Sequence, residues 1–503
     1  MSADPAPVER LHPLMLLTGL GGSLRRVVGG YAALGYLAAT GKPILALAIG
    51  AGLLAIVLTG LLLSWRRFTF RVGPDDIRID SGVLSRTHRS IPFDRVQDVD
   101  IEQGPVARLL GLARVKFETG ASAGSGADDG VLPVIALTRA EALRDHVRAR
   151  HRGVAETASA VSEPDRPIFA MAIPRVLAAG LFNFSLAIFA GMVGLTQTLG
   201  DVIGFDPLKR AFWSSLLSRN DILVNYAAAH RSIAVLAGLG LLIVLGSLTG
   251  IVRTLLLEWR FRLDRSANGL RRRRGLLTLT DVTIPLRRVQ AALIVTGPVR
   301  VRFGWRTLKF QSLGSDAADK GDHVMAPLAT SDEVALIIDQ LGWPRIHEGA
   351  LDRVSPAYIW THLLGLAPVA LMAVLVVGSL AVARATEAPA TAPAPTLAIA
   401  AVAAVALCVS ALARILSWRH TGYLLENDQL AICSGWWNRR FALLPARRVQ
   451  SIDLKQNLIE RRFGIARMQL GVAGGRGFSG HVIPALPHHQ ALELRRALLA
   501  SPT

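Results

Sequence analysis

The chain has 503 residues, 51% of them hydrophobic, and its mean hydropathy of +0.39 is high for a soluble protein, which favours membrane spans. Its net charge of +19 favours an anionic membrane surface or cytoplasmic loops beside spans. Nucleic acid is the weaker interpretation, because only 6% of the residues are aromatic. The two cysteines, Cys408 and Cys433, exclude a disulfide framework and a cysteine metal cluster.

Six apolar runs in three pairs predict transmembrane helices that form three hairpins. They cover residues 27–40 and 43–64, 176–199 and 232–257, and 358–382 and 396–415. A hairpin returns the chain to the side it left, so the polar regions after the hairpins share one face of the membrane. Arginines crowd that side of the spans, which predicts a multi-pass membrane protein with the polar regions and both termini in the cytoplasm.

Each polar region alternates apolar and polar residues, which is typical of short antiparallel strands. In the first region, strands are predicted at residues 68–72 and 77–80, near Pro92, and at residues 114–118. The spacing of Thr138 and Glu141 matches a capping box and predicts the start of a helix. Helices are also predicted to close the other two regions, from residue 330 and from residue 489. Each region is therefore a run of strands followed by a helix.

One stretch occurs three times without insertion or deletion, in the pattern G-x9-P-x-x-R-V-Q-x6-[G/N]-x6-G. Its shared positions are Pro92, Arg95, Gln97 and Gly111, then Pro285, Arg288, Gln290 and Gly304, then Pro445, Arg448, Gln450 and Gly464. A tryptophan lies 26 or 27 residues before each proline, as Trp65, Trp259 and Trp418. Asn457 replaces the middle glycine of the third copy, and because asparagine tolerates a left-handed backbone, this replacement is compatible with the repeat. The chain is thus one module used three times.

These motifs, together with the Arg-Leu-His-Pro sequence at residues 10–13, resemble the bacterial pleckstrin-homology (PH) membrane protein family of the YdbS/YdbT type, and specifically its long three-domain YdbT-like members. The resemblance implies a PH-like fold for each module, a bent antiparallel sheet of about seven strands, as a sandwich or barrel, with a C-terminal helix. It implies an α+β integral membrane protein. It also suggests association with a smaller single-domain PH-like membrane protein and a role in envelope stress or resistance to membrane-active agents.

The expected domain organisation alternates span pairs with PH-like domains. It comprises residues 1–64 (N-terminal segment and first hairpin), 65–152 (PH-like domain 1), 153–167 (linker), 168–258 (second hairpin, with an outer loop at 200–231), 259–345 (PH-like domain 2), 346–417 (third hairpin) and 418–503 (PH-like domain 3).

The repeated arginine and glutamine of each motif have two interpretations. They could donate to an anionic headgroup or an acidic peptide, because arginine offers a planar fork of donors. Alternatively, they hold the fold by bonding the carbonyls of a neighbouring loop. The structural interpretation is favoured, since residues identical in all copies more easily serve a shared fold than three identical sites.

A run of four arginines occurs in the second module only: Arg271, Arg272, Arg273 and Arg274. Such a cluster is a candidate anionic-lipid patch, at about 1 kcal/mol for each residue near the surface. A solvated run of charge that only enforces membrane topology is an equal alternative.

Enzyme and cofactor motifs are not found in the sequence, so we expect a non-enzymatic scaffold that binds membrane lipids or proteins, without cofactor or nucleic acid. The alternative is a translocator of lipids or small molecules, or an accessory subunit of one, that the modules regulate. The predicted spans carry few charges, which disfavours ion coupling. Asn183 and His362 are polar exceptions within the spans, and we expect both to pack helices together.

Overall fold

A computed structural model describes residues 7–16, 43–82, 87–119, 130–153, 167–184, 229–266, 269–312, 322–344, 346, 348–387, 394–472 and 481–500. The chain forms two compact units, Met1–Thr283 and Ile284–Thr503. Both units contain strands and helices, so the protein is of the mixed α+β class.

Module one has seven strands within the described residues, divided into an amino half and a carboxyl half. The amino half comprises β1 (Glu9–Arg10), helix α1 (Pro43–Arg67), β2 (Thr69–Val72), β3 (Asp76–Ser81) and β4 (Thr87–Pro92). The carboxyl half comprises β5 (Val96–Gln103), α2 (Pro105–Leu109), β6 (Leu112–Thr119), β7 (Val131–Ala136) and α3 (Leu137–Gly153). Both halves contribute to one hydrophobic core, which includes Phe70, Phe93, Phe117 and Leu143.

Module two has the same sequence of strands in the described part of the chain. Its amino half comprises β8 (Pro167–Ala170), α4 (Ile173–Phe182), α5 (Arg231–Glu258), β9 (Arg262–Ser266), β10 (Gly269–Arg274) and β11 (Leu279–Ile284). Its carboxyl half comprises β12 (Val289–Thr296), α6 (Pro298–Arg302), β13 (Arg306–Ser312), β14 (Asp322–Ala329) and α7 (Ser331–Asp339). The boundary between the two compact units falls at the end of β11.

Module three repeats the arrangement over its described residues. Its amino half comprises β15 (Asp352–Arg353), α8 (Ala357–Glu387), α9 (Ala394–Arg419), β16 (Gly422–Glu426), β17 (Gln429–Ser434) and β18 (Arg439–Pro445). Its carboxyl half comprises β19 (Val449–Lys455), α10 (Leu458–Arg462), β20 (Ile465–Val472), β21 (His481–Pro487) and α11 (His488–Ala500). The two halves share a core that includes Leu430, Leu444, Met468 and Leu494.

Neighbouring modules are joined by continuous sheets. The carboxyl half of module one and the amino half of module two form a seven-stranded sheet of order β7-β6-β5-β11-β10-β9-β8. The carboxyl half of module two and the amino half of module three form a second, of order β14-β13-β12-β18-β17-β16-β15. We call the antiparallel contact of β5 with β11 junction one, and that of β12 with β18 junction two.

Four described helices are long and apolar enough to cross a membrane. Their apolar stretches are Ile44–Arg67, Val235–Glu258, Ala357–Ser379 and Ala401–Arg419. The expected span at residues 27–40 lies outside the described residues, and only the start of the span at 176–199 is described, in α4. Six spans in three hairpins therefore stay a prediction.

The strands predicted in module one are confirmed, apart from the one expected to begin near Pro92. Pro92 ends β4, and a 3-10 turn over Phe93–Arg95 precedes β5. The φ of −61° at Pro92 suits this position, because the ring fixes φ near that value. The closing helices are confirmed in all three modules. A capping role for Thr138 is wrong, since α3 already begins at Leu137, whereas Thr330 does cap α7.

Asn457 does not adopt the left-handed backbone that asparagine tolerates. Its φ is −85°, and the glycines at the matching positions, Gly104 and Gly297, have φ of −69° and −119°. Asn457 instead caps α10. Its side chain accepts a hydrogen bond of 2.7 Å from the backbone nitrogen of Glu460, whose carboxylate bonds back to the Asn457 nitrogen.

The first strand of each module, β1, β8 or β15, was not predicted. Each comes before the apolar helices of its module and pairs antiparallel with the strand that follows those helices. Strands of two to four residues are too short to show alternation. The apolar helices are consequently inserted inside each PH-like module, between its first and second strands.

Candidate lipid-contact site

Tryptophans at the ends of two apolar helices bond to the chain that precedes the helices. Trp65 donates its indole N–H to the carbonyl oxygen of Leu11 at 3.0 Å, and Trp418 donates to that of Val354 at 2.9 Å. Leu11 directly follows β1, and Val354 directly follows β15. Each bond therefore ties together the two places where the chain leaves and re-enters its module.

The turn between β10 and β11 lies against the end of the apolar helix α5. The backbone nitrogen of Gly275 donates to the carbonyl of Trp259, and that of Leu276 to the carbonyl of Leu256, both at 2.9 Å. The guanidinium of Arg108, in the short helix α2, donates to the Leu276 carbonyl. Thus α2 and this turn both adjoin the membrane end of module two.

The same end of module three is fixed by strand geometry. Strand β16 starts at Gly422, three residues after α9 ends, and β17 returns beside it so that Gly422 pairs with Cys433. The turn after β17 therefore lies near the end of α9. This turn carries Trp437, whose side chain is 66% exposed. The short helix α10 packs against the other apolar helix of this module, α8.

Large apolar side chains are exposed on all three short helices. Leu109 of α2 is 88% exposed and Leu458 of α10 is 83% exposed, while Phe303, which directly follows α6, is 64% exposed. We call this set the rim, together with the exposed apolar residues of the adjoining turns. The rim comprises Val106, Leu109, Leu110 and Leu277, then Val299, Val301, Phe303 and Trp437, then Leu458 and Phe463. Exposed apolar surface next to a membrane-spanning segment is suited to the bilayer interface.

Sequence reasoning missed the rim, although the repeat contains its signal. Nine residues after the motif glutamine the three copies have Val106, Val299 and Ile459. Thirteen residues after it they have Leu110, Phe303 and Phe463. A position that stays apolar in all copies and lies on a short exposed helix is unusual for a solvated surface.

The four-arginine run lies mostly inside the protein. Arg272 is only 2% exposed, and Arg271 is buried and donates to both carboxylate oxygens of Asp281, at 2.8 and 2.5 Å. Arg274 donates to Glu258 at 2.8 Å. The Arg273 side chain is the accessible one, 44% exposed, although it too pairs with Asp281 at 3.3 Å. Lipid binding by these arginines stays a prediction, with Arg273 as its exposed charge.

Asp281 is the centre of a charge cluster that joins modules one and two. Besides Arg271 and Arg273 it accepts a bond of 3.0 Å from Arg144 on α3. Burial alone raises the pKa of the Asp281 carboxyl, but the hydrogen bond and charge of Arg271, followed by Arg273 and Arg144, outweigh burial and lower that pKa. The carboxylate is therefore held ionised by the buried Arg271 and the half-buried Arg144.

Two of the motif side chains bond to backbone carbonyls. The side-chain amide of Gln290 donates to the Arg288 carbonyl at 3.0 Å, and the guanidinium of Arg448 donates to the Arg287 carbonyl at 2.8 Å. Pro92, Pro285 and Pro445 each precede a 3-10 turn. Gln450 is exposed, and the side chains of Arg95 and Gln97 lie outside the description. Bonds to backbone carbonyls fit a structural role, and ligand binding by these residues stays a prediction.

The last glycine of each motif ends a short helix. Gly111, Gly304 and Gly464 have φ of 64°, 70° and 62°, a left-handed conformation that side chains disfavour. Each immediately follows exposed rim residues. The repeated glycine therefore sets the size of the short helix that carries the rim.

Polar residues of the apolar helices bond to one another, as expected for Asn183 and His362. The Asn183 amide donates to the Thr254 hydroxyl at 3.1 Å, and the His362 imidazole lies 3.0 Å from the Ser410 hydroxyl. Glycine also brings α4 and α5 together, since a Cβ on Gly180 would lie 2.5 Å from the Ile251 Cα. In the described part of the chain, no three His, Cys, Asp or Glu side chains are placed to hold a metal ion.

Comparison with known proteins finds the same threefold repeat along the chain. A family model described as the bacterial PH domain matches residues 23–151, 221–342 and 363–501. The chain belongs to the bacterial PH domain family. It is a transmembrane protein with repeated PH domains, and it is of the YdbT-like type.

Two relatives of this PH-family chain come from Bacillus subtilis (strain 168). It is 28% identical to the transmembrane protein YdbT over 296 residues, which is 56% of this chain and 57% of YdbT. It is 35% identical to the transmembrane protein YdbS over 83 residues, 16% of this chain and 46% of YdbS. The matches thus span about half the length of each relative. No solved structure matches the chain significantly.

Proposed function

We propose that this PH-family protein is a non-enzymatic scaffold of the bacterial inner membrane whose rim contacts the lipid surface. Its modules lie on the cytoplasmic side, as do both termini. The carrying observation is the exposure of large apolar side chains on α2, beside a turn whose backbone bonds to the end of the apolar helix α5. Transfer of such side chains from water to the bilayer interface is favourable, because it removes apolar surface from water.

Exposed arginines on the short helices favour anionic lipid. They are Arg108 on α2, Arg302 on α6, and Arg461 and Arg462 on α10. Each basic residue near an anionic surface contributes about 1 kcal/mol, and the contribution falls with added salt. Arg273 adds an exposed charge close to the turn at Leu276. The rim therefore combines apolar contact with recognition of acidic headgroups.

The proposal extends to partners and to organisation. A smaller PH-like membrane protein with one module is the proposed protein partner, and the transmembrane protein YdbS, a separate relative, supports this choice. A role in envelope stress or in tolerance of membrane-active agents is proposed with it. The predicted division into PH-like domains is kept as a proposal, with β1, β8 and β15 added to their modules.

Fluorescence quenching in lipid nanodiscs tests the rim. The full chain, with Cys408 and Cys433 replaced by serine, receives a single cysteine at Leu458 and a polarity-sensitive label. We expect strong quenching by lipids that carry a shallow quencher. A label at Glu426 is the matched control, because this exposed residue ends β16 about 13 Å along the strand from Gly422, where β16 begins near the end of α9. Equal quenching at both positions would refute lipid contact by the rim.

Two further experiments with the same purified protein test the role of charge and the absence of lipid transport. The paired change Arg461→Gln and Arg462→Gln should reduce quenching at Leu458 with anionic lipid and leave it unchanged with zwitterionic lipid. A loss of quenching in both lipids would contradict the electrostatic part of the proposal. Lipid scrambling in proteoliposomes should match that of protein-free vesicles, whereas protein-dependent scrambling favours the translocator over the scaffold.

A further inference from the structure

The two module junctions use the same strand register. At junction one, the strand partners can be counted from the motifs. A residue four, five or six positions after the motif glutamine of module one, Gln97, pairs with the residue the same number of positions before the motif proline of module two, Pro285. These pairs are Ile101 with Asp281, Glu102 with Thr280, and Gln103 with Leu279. Junction two has the same offsets in Ile294 with Phe441, Val295 with Arg440, and Thr296 with Arg439, and continues inward with Leu293 to Ala442 and Ala292 to Leu443. The repeat thus encodes a complementary pair of strand edges.

One edge of each kind is left over in the chain. Strand β4 ends the sheet β1-β2-β3-β4, and β19 ends the sheet β19-β20-β21, so within the described residues neither has a strand on its outer side. Each corresponds to one of the two strands that meet at a junction. Strand β4 has the position in its module that β11 and β18 have in theirs, and β19 has the position of β5 and β12. The backbone N–H and C=O groups on an edge strand can pair with another chain.

The two end strands, β4 and β19, are less buried than the corresponding strands at the junctions. In β12, which has neighbours on both sides, most residues are buried, whereas every residue of β19 is intermediate or exposed. In β18, the residues from Phe441 to Pro445 are all buried, whereas in β4 only Ile91 is. The end strands therefore have the exposure of junction strands without their partner. Charged side chains do not prevent such pairing, because β5 carries Asp98, Asp100 and Glu102 and is paired at junction one.

We propose that β19 of one copy of this chain pairs antiparallel with β4 of a second copy, in the register of the two junctions. That register places Ile452 opposite Ser90 and Leu454 opposite His88. It also places Asp453 opposite Arg89 and Lys455 opposite Thr87, so the charged pair at its centre is of opposite sign. The partner is a second copy because both edges belong to the same repeat. The interface is heterologous, so repeated pairing produces a ring or a linear array.

Disulfide trapping in native membranes tests the register, and it is independent of the lipid-contact proposal. Two full-length chains with different tags, both with Cys408 and Cys433 replaced by serine, are co-expressed, one with Asp453→Cys and the other with Arg89→Cys. Residues directly opposite in an antiparallel pair have Cα atoms about 4.5–5.5 Å apart, which suits a disulfide. Oxidation should give a covalent dimer that contains both tags.

The matched control pairs Asp453→Cys with His88→Cys. His88 is next to Arg89 in β4, so its side chain points to the other face of the sheet and its dimer yield should be at least several-fold lower. Equal yields for the two pairs would overturn the proposal. So would the absence of a dimer while Leu293→Cys and Ala442→Cys, across junction two, form a disulfide within one chain. A disulfide within a single chain carrying Asp453→Cys and Arg89→Cys, or to a different PH-like protein, also overturns it.

Charge exchange gives a second readout. Asp453→Arg or Arg89→Asp alone places like charges opposite each other and should lower the fraction of dimer in detergent about five- to tenfold. Co-expression of the two variants with different tags restores the opposite charges and should restore the dimer that joins them. If the single variants dimerise as the unchanged chain does, the proposed register is wrong.

Discussion

Replacement of Asp281 by asparagine should open junction one. This carboxylate accepts two hydrogen bonds from Arg271 and one from Arg144, and the side chains of those arginines are only 9% and 12% exposed. Asp281→Asn keeps the size of the side chain but removes the negative charge that the guanidinium groups of Arg271 and Arg144 both bond. Loss of one partner from a buried ion pair costs about 3–5 kcal/mol.

Hydrogen exchange measured by mass spectrometry follows this opening locally, which suits a chain with several modules better than a global unfolding midpoint. A loss of 3 kcal/mol corresponds to roughly a hundredfold faster exchange in peptides of β5 and β11. Peptides of β16 and β17 in module three serve as an internal reference and should not change. Exchange in β11 that rises less than about tenfold, or rises equally in module three, would refute the reasoning.

The matched control is Asp80→Asn. Asp80 lies 2.7 Å from His88, but these side chains are 35% and 73% exposed, so the pair contributes about 0–1 kcal/mol. Acid gives a further check on Asp281. Because the pKa of Asp281 is lowered in the fold, its stabilisation is present above the unfolded value of about 4 and is lost as the pH falls through the folded pKa. The Asn variant should lack this part of the acid sensitivity at junction one.

Three further changes test other parts of the structure. Burial lowers the pKa of His481 to about 4, so folding keeps this imidazole neutral. Because the unfolded chain binds the proton more readily, the free energy of unfolding should fall by roughly 3 kcal/mol from pH 6.5 to pH 4. His481→Gln should remove this pH dependence in a denaturant series. Trp418→Phe removes the indole bond to Val354 and should cost about 1 kcal/mol, seen as faster exchange at β15 and β16. Asn457→Ala should destabilise α10 by about 1 kcal/mol, whereas Asn457→Gly should cost only a few tenths, and equal costs would contradict the capping role.

Much of the fold follows from the sequence because each module repeats it. Alternating residues predicted β2, β3 and β6, and the repeat predicted that the same elements recur. The first strands escaped prediction, since β1 and β15 have two residues each and obtain their hydrogen bonds from strands more than fifty residues away. The sharing of sheets between modules was also not predicted, because periodicity shows which face of a strand is buried but does not show which strands lie beside it.

Prediction of the candidate site was weaker. Four consecutive arginines suggested an accessible patch, but in a strand alternate side chains point to opposite faces, and here Arg271 and Arg272 are both buried. Asp281 pairs with Arg271, and Glu258 pairs with Arg274. Both carboxylates lie on other elements, so spacing in the sequence could not identify them. The rim could have been found, because apolar residues recur at fixed distances from the motif glutamine.

Insertion of the apolar helices between the first and second strands of each module orders the events of biosynthesis. β1, β8 and β15 leave the ribosome before the helices that follow them, and each obtains its partner strand only after those helices have been synthesised. A module can complete its amino half only when the whole intervening segment has been synthesised and its two ends have come together. The placement of the apolar helices is thereby coupled to closing of the domain, because the first strand of each module has its partner only when the two ends of the inserted segment lie side by side.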